Sequence, residues 1–295
     1  MPILSVDNLS KNYGRIHALK NVSFSVPQGS VFGILGPNGS GKTTLLGIIM
    51  NVLKANSGSY NFFDEPPTDA HRKQMGTLLE TPNFYHYLSA VQNLKIAAAI
   101  KGRGYNDIDQ VLQTVNLAHR KNSAFSTYSL GMKQRLAIAS CLLGNPDVLV
   151  FDEPTNGLDP VGIAEIRSLI KSLSKQGKTI IMASHLLDEV EKVCTHVAIL
   201  KLGTMITYGN VNEIFVHEDI VQTSSKDNAG LKEALENYPG YTKLEAVEEN
   251  IEISFPAGQA QLDEINKFCF AKGINLSHLQ LRKKSLESKF FELTN

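Results

Sequence analysis

Apolar and polar residues change their period several times along the 295-residue chain. Residues 3–6 and 22–26 alternate or run apolar and predict two strands, with Lys11-Asn12-Tyr13-Gly14 as a turn between them. Pro27-Gln28-Gly29 predicts a second turn. Residues 30–35 form a short apolar run, Gly36-Pro37-Asn38-Gly39-Ser40-Gly41 breaks it sharply, and residues 42–53 predict a helix. The order is strand, glycine loop, helix. Residues 64–120 are mixed, with turns at Pro66-Pro67 and Thr81-Pro82-Asn83 and helices over 91–100 and 107–115. A helix over 132–143 ends at Gly144-Asn145-Pro146. Val148-Leu149-Val150-Phe151 is continuously apolar, which suits a parallel strand covered on both faces. A helix over 160–176, a strand over 179–183, a helix over 186–193 and a strand over 197–200 follow, and this alternation predicts an α/β sheet.

The pattern changes after residue 216. Strands over 220–223, 243–246, 251–255 and 276–281 alternate with helices over 229–237 and 262–272, and residues 286–293 predict a closing helix. A βαββαβ order predicts a small α+β domain, with a ferredoxin-like arrangement as one solution. The longest apolar stretch, 45–53, contains Gly47 and Asn51 and falls short of the roughly 18–20 residues that span a bilayer, so no transmembrane segment is expected. Nor does a basic stretch followed by an apolar run open the chain, so no signal peptide is expected. Lys plus Arg and Asp plus Glu each number 29, and zero net charge argues against a general nucleic-acid binder. The three cysteines, Cys141, Cys194 and Cys269, are far apart with no CxxC, which indicates neither a disulfide framework nor a zinc site and fits a reducing compartment.

Gly36-Pro37-Asn38-Gly39-Ser40-Gly41-Lys42-Thr43 matches GxxxxGK[ST] throughout, with Thr44 continuing into the helix. Glycines let a backbone curl so that its N–H groups meet phosphate oxygens, and the helix that follows adds its positive end. Lys42 offers a point charge to the β- and γ-phosphates, and the Thr43 hydroxyl is a candidate Mg²⁺ ligand. A second metal ligand belongs at the end of another strand, and Asp152 stands there. Glu153 follows, where a carboxylate can polarise an attacking water.

Ser129-Leu130-Gly131-Met132-Lys133-Gln134-Arg135, placed shortly before Asp152-Glu153-Pro154, resembles the signature motif of ABC-type ATPases. In family order, Tyr13 matches the aromatic that stacks on adenine, Glu80 the Q-loop position, Gly157-Leu158-Asp159 the D-loop, and Ser184-His185 the switch histidine. The resemblance covers residues 1–216. It implies an α/β fold of the ABC-type P-loop NTPase, a mixed-sheet core plus a helical subdomain over about 81–145, followed by a small α+β accessory domain over 217–295. It also implies ATP and Mg²⁺ as ligands. The nucleotide contacts would be Tyr13, Gly36, Pro37, Asn38, Gly39, Ser40, Gly41, Lys42, Thr43, Thr44, Glu80, Ser129, Gly131, Met132 and Asp159. Thr43, Glu80 and Asp152 would hold the metal, and Glu153 and His185 would carry the chemistry. Ser129 and Asp159 also read as plain helix N-caps, the latter before Pro160. Two departures stand out. The usual Leu-Ser-Gly-Gly-Gln is here Tyr128-Ser129-Leu130-Gly131-Met132, and glutamate replaces glutamine at position 80.

Met75-Gly76-Thr77-Leu78-Leu79-Glu80-Thr81-Pro82-Asn83-Phe84-Tyr85, with the signature string, is similar to the ATP-binding subunits of bacitracin- and lantibiotic-type exporters. That likeness implies a homodimer or paired ATPase domain with ATP at its interface, separate transmembrane permease subunits docking on residues 80–101, no nucleic-acid partner, and a peripheral place on the cytoplasmic face of a bacterial membrane. A non-transport ABC ATPase acting as a regulatory or nucleic-acid-associated switch is the rival. Residues 80–129 are too short for the coiled-coil insertion of DNA-repair members, and one cassette is present where ribosome-acting members carry two. A P-loop kinase leaves the signature and His185 unexplained.

Overall fold

The structure is a computed structural model that describes residues 2–79, 83–214 and 218–283. It divides into two compact units, Met1–Val211 and Asn212–Asn295. The expected boundary at 216 and the expected closing helix over 286–293 lie outside the described residues.

The first unit opens with β1 (Pro2–Tyr13) and β2 (Ile16–Pro27), antiparallel and joined at Gly14-Arg15. The turn expected at 11–14 is therefore strand almost to its end. Register shifts on either side of Lys11 absorb the polar residues that broke the alternation. Next come β3 (Val31–Leu35) and α1 (Lys42–Ile49). The helix stops short of residue 53 because Asn51 turns left-handed at φ 61° and the Val52 and Leu53 N–H groups bond back to the Gly47 carbonyl. β4 (Ser57–Phe62) then pairs with the other side of β1 and completes a three-stranded sheet.

The larger sheet has the order β5-β6-β7-β3-β8-β9. After α2 (Asp69–Lys73), its edge strand β5 (Gly76–Leu78) is followed by three helices: α3 (Ala90–Lys101), α4 (Ile108–Thr114) and α5 (Leu130–Leu142). β6 (Val148–Asp152), α6 (Pro160–Lys175), β7 (Thr179–Ser184), α7 (Leu187–Val193) and β8 (His196–Lys201) then build the parallel centre. β9 (Thr204–Asn210) returns antiparallel to β8. Every residue of β3, β6 and β7 is buried, as expected for parallel strands covered on both faces. One apolar cluster joins side chains from both sheets and α1, among them Leu4, Phe24, Phe32, Leu45 and Phe62. Burial pushes the Cys141 thiol up to about 12, so it is an inert core residue and not a ligand or nucleophile.

The second unit begins in the short α8 (Val211–Ile214) and continues through β10 (Glu218–Ser225), α9 (Asn228–Leu235), β11 (Lys243–Val247), β12 (Asn250–Pro256), α10 (Leu262–Ala271) and β13 (Leu276–Lys283). The order β11-β12-β10-β13, with every neighbour antiparallel, is the ferredoxin-like split βαβ arrangement. Val221, Ile251, Ile253 and Phe255 pack with Leu231, Leu235, Ile265 and Cys269 of the two helices. No helix among the described residues is long and apolar enough to cross a membrane.

Phe32 is fully buried and stacks on Phe24 with ring centroids 5.4 Å apart. Phe32→Ala is expected to lower stability by about 3–5 kcal/mol, seen as an earlier urea transition in circular dichroism.

Candidate active site

Three neighbouring strands bring the site together. In the order β6-β7-β3, Leu35 pairs with Ser184 and Asp152 with Ala183, so the three strands end in one row at one edge of the sheet. The ladder runs one residue further: Gly36 N–H donates to the Ser184 carbonyl at 3.3 Å, and Glu153 N–H to the Ala183 carbonyl at 3.1 Å. The glycine loop, Asp152-Glu153 and His185 therefore leave the sheet side by side. Ligand sites of open α/β sheets form at this carboxyl edge.

The loop is tightly held. Gly39 and Gly41 are left-handed, at φ 78° and 108°. A Cβ at Gly36 would strike the Leu200 carbonyl oxygen, and one at Gly41 would strike that of Ala18. Asn38, Gly39, Gly41, Lys42, Thr43 and Thr44 line a cavity of about 450 Å³, with Glu153 on its wall. Pro37 and Ser40 shape the loop from within, since Ser40 N–H donates to the Pro37 carbonyl at 3.1 Å.

Lys42 is only 5% exposed, yet its ammonium is fully partnered. It donates to the carbonyls of Gly36 at 2.8 Å and Pro37 at 3.2 Å, and it pairs with Glu153 Oε1 at 3.3 Å. Glu153 Oε2 accepts from His185, from Nδ1 at 2.8 Å and from the backbone N–H at 3.4 Å. Facing a carboxylate, Nδ1 must carry the hydrogen, which leaves Nε2 for another partner. Glu153 itself has a left-handed backbone at φ 48°, strain of the kind that gathers at working sites. Asp152 is buried at the end of β6. Its carboxylate and the Thr43 hydroxyl are hard oxygen donors of the kind Mg²⁺ takes. No group of three or more His, Cys, Asp or Glu suited to a metal occurs among the described residues, so a metal here relies on few protein ligands, as Mg²⁺ beside phosphates does.

The remaining expected residues stand elsewhere. Tyr13 is half-exposed at the end of β1, with Lys11 Nζ 5.2 Å from its ring centroid, and it does not line the phosphate cavity. Ser129 is the N-cap of α5, its hydroxyl accepting from Met132 N–H at 3.3 Å. Asp159 is the N-cap of α6, accepting from Gly162 N–H at 2.9 Å. The plain capping readings of both residues thus hold in this chain. Ser129, Gly131 and Asp159 line a second cavity of about 400 Å³, which shares no residue with the first. Met132 lies in the first turn of α5. Glu80 lies outside the described residues.

Two features escaped the sequence. Gly203, in the β8–β9 turn, buttresses the glycine loop by donating its N–H to the Ser40 carbonyl at 3.0 Å, and its own carbonyl accepts from Lys20 N–H at 2.8 Å. The Leu202-Gly203 pair was its only signal, a weak hairpin cue. Arg167 on α6 bridges to the buried Glu189 on α7 at 2.5 Å, tying together the helices that follow Asp159 and His185. Nothing in its sequence context marked it.

The family model described as ABC transporter matches residues 19–156. The bacitracin transport ATP-binding protein BcrA of Bacillus licheniformis is 35% identical over 99% of this chain and 97% of its own length. The lantibiotic transport ATP-binding protein SrtF of Streptococcus pyogenes is 38% identical over 69% of this chain and 89% of its own. Among solved structures, the dimeric post-hydrolysis state of the ATP-binding cassette MJ0796, bound to ADP and Pi, has a TM-score of 0.63 and 27% identity. That match covers 70% of this chain and 98% of MJ0796.

At about 100 times its Kd a ligand adds about 2.7 kcal/mol to the folded state. Lys42→Met is expected to abolish nearly all of that stabilisation by ATP, measured as the loss of the ATP-dependent rise in thermal midpoint.

Proposed function

Because the chain belongs to the ABC transporter ATP-binding family and is the ATP-hydrolysing subunit that powers a membrane transporter, we propose how its own residues divide that work. The observation that carries the proposal is the row of strand ends that sets Lys42 at 3.3 Å and His185 at 2.8 Å from the two oxygens of the Glu153 carboxylate, beside the glycine loop. Backbone amides of residues 36–44 and the Lys42 ammonium hold the phosphates. Thr43 and Asp152 would hold Mg²⁺, which would supply positive charge beside the phosphates. Glu80, by its likeness to the family's Q-loop position, is a further candidate oxygen ligand for the metal. Glu153 accepts a proton from the attacking water, and His185 steadies the γ-phosphate and the carboxylate in their mutual geometry. Tyr13 stacks on the base.

Ser129, Gly131, Met132 and Asp159 complete the site from a second copy. The cavity lined by Ser129, Gly131 and Asp159 shares no residue with the phosphate cavity of the same chain, which supports a head-to-tail homodimer with two ATP molecules at its interface. The amides at the N-terminus of α5 then meet the γ-phosphate that the partner's loop holds. ATP favours the closed dimer because it touches both halves, and hydrolysis removes the bridging group, a population shift by differential binding. Separate permease subunits, docked along residues 80–101 with the chain on the cytoplasmic face, convert closing and opening into transport. The cargo is a peptide antibiotic of the bacitracin or lantibiotic kind or a similar small hydrophobic compound, by likeness to BcrA and SrtF. Residues 1–216 form the ATPase domain with its helical subdomain over 81–145, and residues 217–295 form an accessory domain that braces it or pairs two copies.

Glu153→Gln is expected to keep ATP binding, slow turnover at least about 100-fold and trap an ATP-bound dimer. Gel filtration with ATP reads this directly, and a species that remains monomeric would overturn the sandwich or the role of Glu153. In cells carrying the chain and its permease, Lys42→Met is expected to lower the inhibitory concentration of bacitracin several-fold; unchanged resistance would remove that peptide class as cargo.

A further inference from the structure

The β8–β9 hairpin turns through two residues, Leu202 at φ 48° and Gly203 at φ 81°, between the paired Lys201 and Thr204. Positive φ at both centres defines a type I′ turn, which favours Asn-Gly because a branched apolar side chain is strained in the left-handed region. Gly203 obeys the rule for a clear reason: a Cβ there would run into the Ala18 and His17 carbonyl oxygens. Leu202 breaks it. Most described non-glycine residues with a left-handed backbone are Asn or Asp. Phe63, the other large apolar one, has its ring against His71 at 5.9 Å. Leu202 has no such compensation in this chain, for its side chain is 66% exposed.

What distinguishes the position is its place. Leu202 lines the same cavity as the phosphate loop, together with Ile16, which is 70% exposed. Ile16 pairs in register with Tyr13, itself 45% exposed. Gly203 N–H bonds to the Ser40 carbonyl, so the turn is fixed relative to the loop. The cavity therefore has a polar, charged floor at Lys42 and Glu153, and two separate hairpins bring the apolar Ile16 and Leu202 to its lining, beside His17, Ala18 and Lys20. Uncompensated backbone strain gathers at ligand-binding sites.

We propose that Leu202, with Ile16, packs on the nucleobase end of the bound nucleotide, and that the strain at Leu202 is kept for this contact. The inference rests on the ATP reading of the phosphate cavity. The occupant follows from continuity: a nucleotide whose phosphates lie on the floor has one flat, largely apolar part left for the rim. An apolar contact reads area and not hydrogen-bonding edges, so the rim raises affinity for purine nucleotides without choosing among them.

Two variants of the full chain test this. Leu202→Asn and Leu202→Gly both suit a type I′ turn and remove the apolar side chain. Binding of ATP, GTP and inorganic tripolyphosphate is measured by titration calorimetry. ATP and GTP are expected to weaken together, by about five- to tenfold, while tripolyphosphate binding stays as in the wild type. The thermal midpoint of the ligand-free variants is expected to rise by about 1–3 °C as the strain is relieved. Unchanged ATP affinity in both variants overturns the rim contact, and so does an equal loss for tripolyphosphate. A wild-type chain that binds neither ATP nor tripolyphosphate overturns the reading of the cavity itself, which separates that failure from failure of the rim.

Discussion

The ammonium of Lys42 is almost out of water, and a buried cation is tolerated only where fixed oxygens replace its hydration. Those oxygens come from two places: the Gly36 and Pro37 carbonyls of the loop itself, and the Glu153 carboxylate that follows β6. Satisfying one charge thus requires the loop after β3 and the turn after β6 to lie at one height. β7 lies between these two strands and supplies His185 to the second Glu153 oxygen. Neighbouring strands are about 4.8 Å apart, so the ends of three strands span about 10 Å, the scale of a triphosphate. The sheet order, more than any loop, sets the dimensions of the site.

Backbone strain follows the same geography. Gly39 and Gly41 take left-handed backbones where the loop curls, and Gly36 lies so near the Leu200 carbonyl that no side chain fits. Glu153 takes a left-handed backbone without being glycine, at a cost of order 1–3 kcal/mol. The surroundings over-determine it, since its N–H, both carboxylate oxygens and the strand before it are all engaged. The charged groups are therefore held within reach of one another by fixed backbone.

The central parallel strands were legible because burial on both faces leaves an uninterrupted apolar run, as at Val148 to Phe151. The phosphate loop was legible because its glycines and lysine are required at fixed spacing. β4 and β9 were not. Ser57–Phe62 is mostly polar, and Thr204–Asn210 alternates only partly into the core; each is a strand because a neighbour offers it a ladder. The turn expected at 11–14 failed for a related reason, since register shifts let β1 carry polar residues that a regular ladder would expel. Side-chain partnerships across elements, such as Arg167 with Glu189, leave no local trace in a sequence at all.

One consequence of the charge arrangement concerns how the site responds to a phosphate. Lys42 neutralises Glu153, and His185 occupies the other carboxylate oxygen. A γ-phosphate entering the cavity competes for Lys42, because it carries more charge than a carboxylate and offers several oxygens at once. As Lys42 turns to the phosphate, Glu153 gives up its positive partner. His185, still bound through Nδ1, keeps the carboxylate in place and presents Nε2 on its other side. The ion pair that stabilises the buried lysine is thus the one for which a phosphate competes.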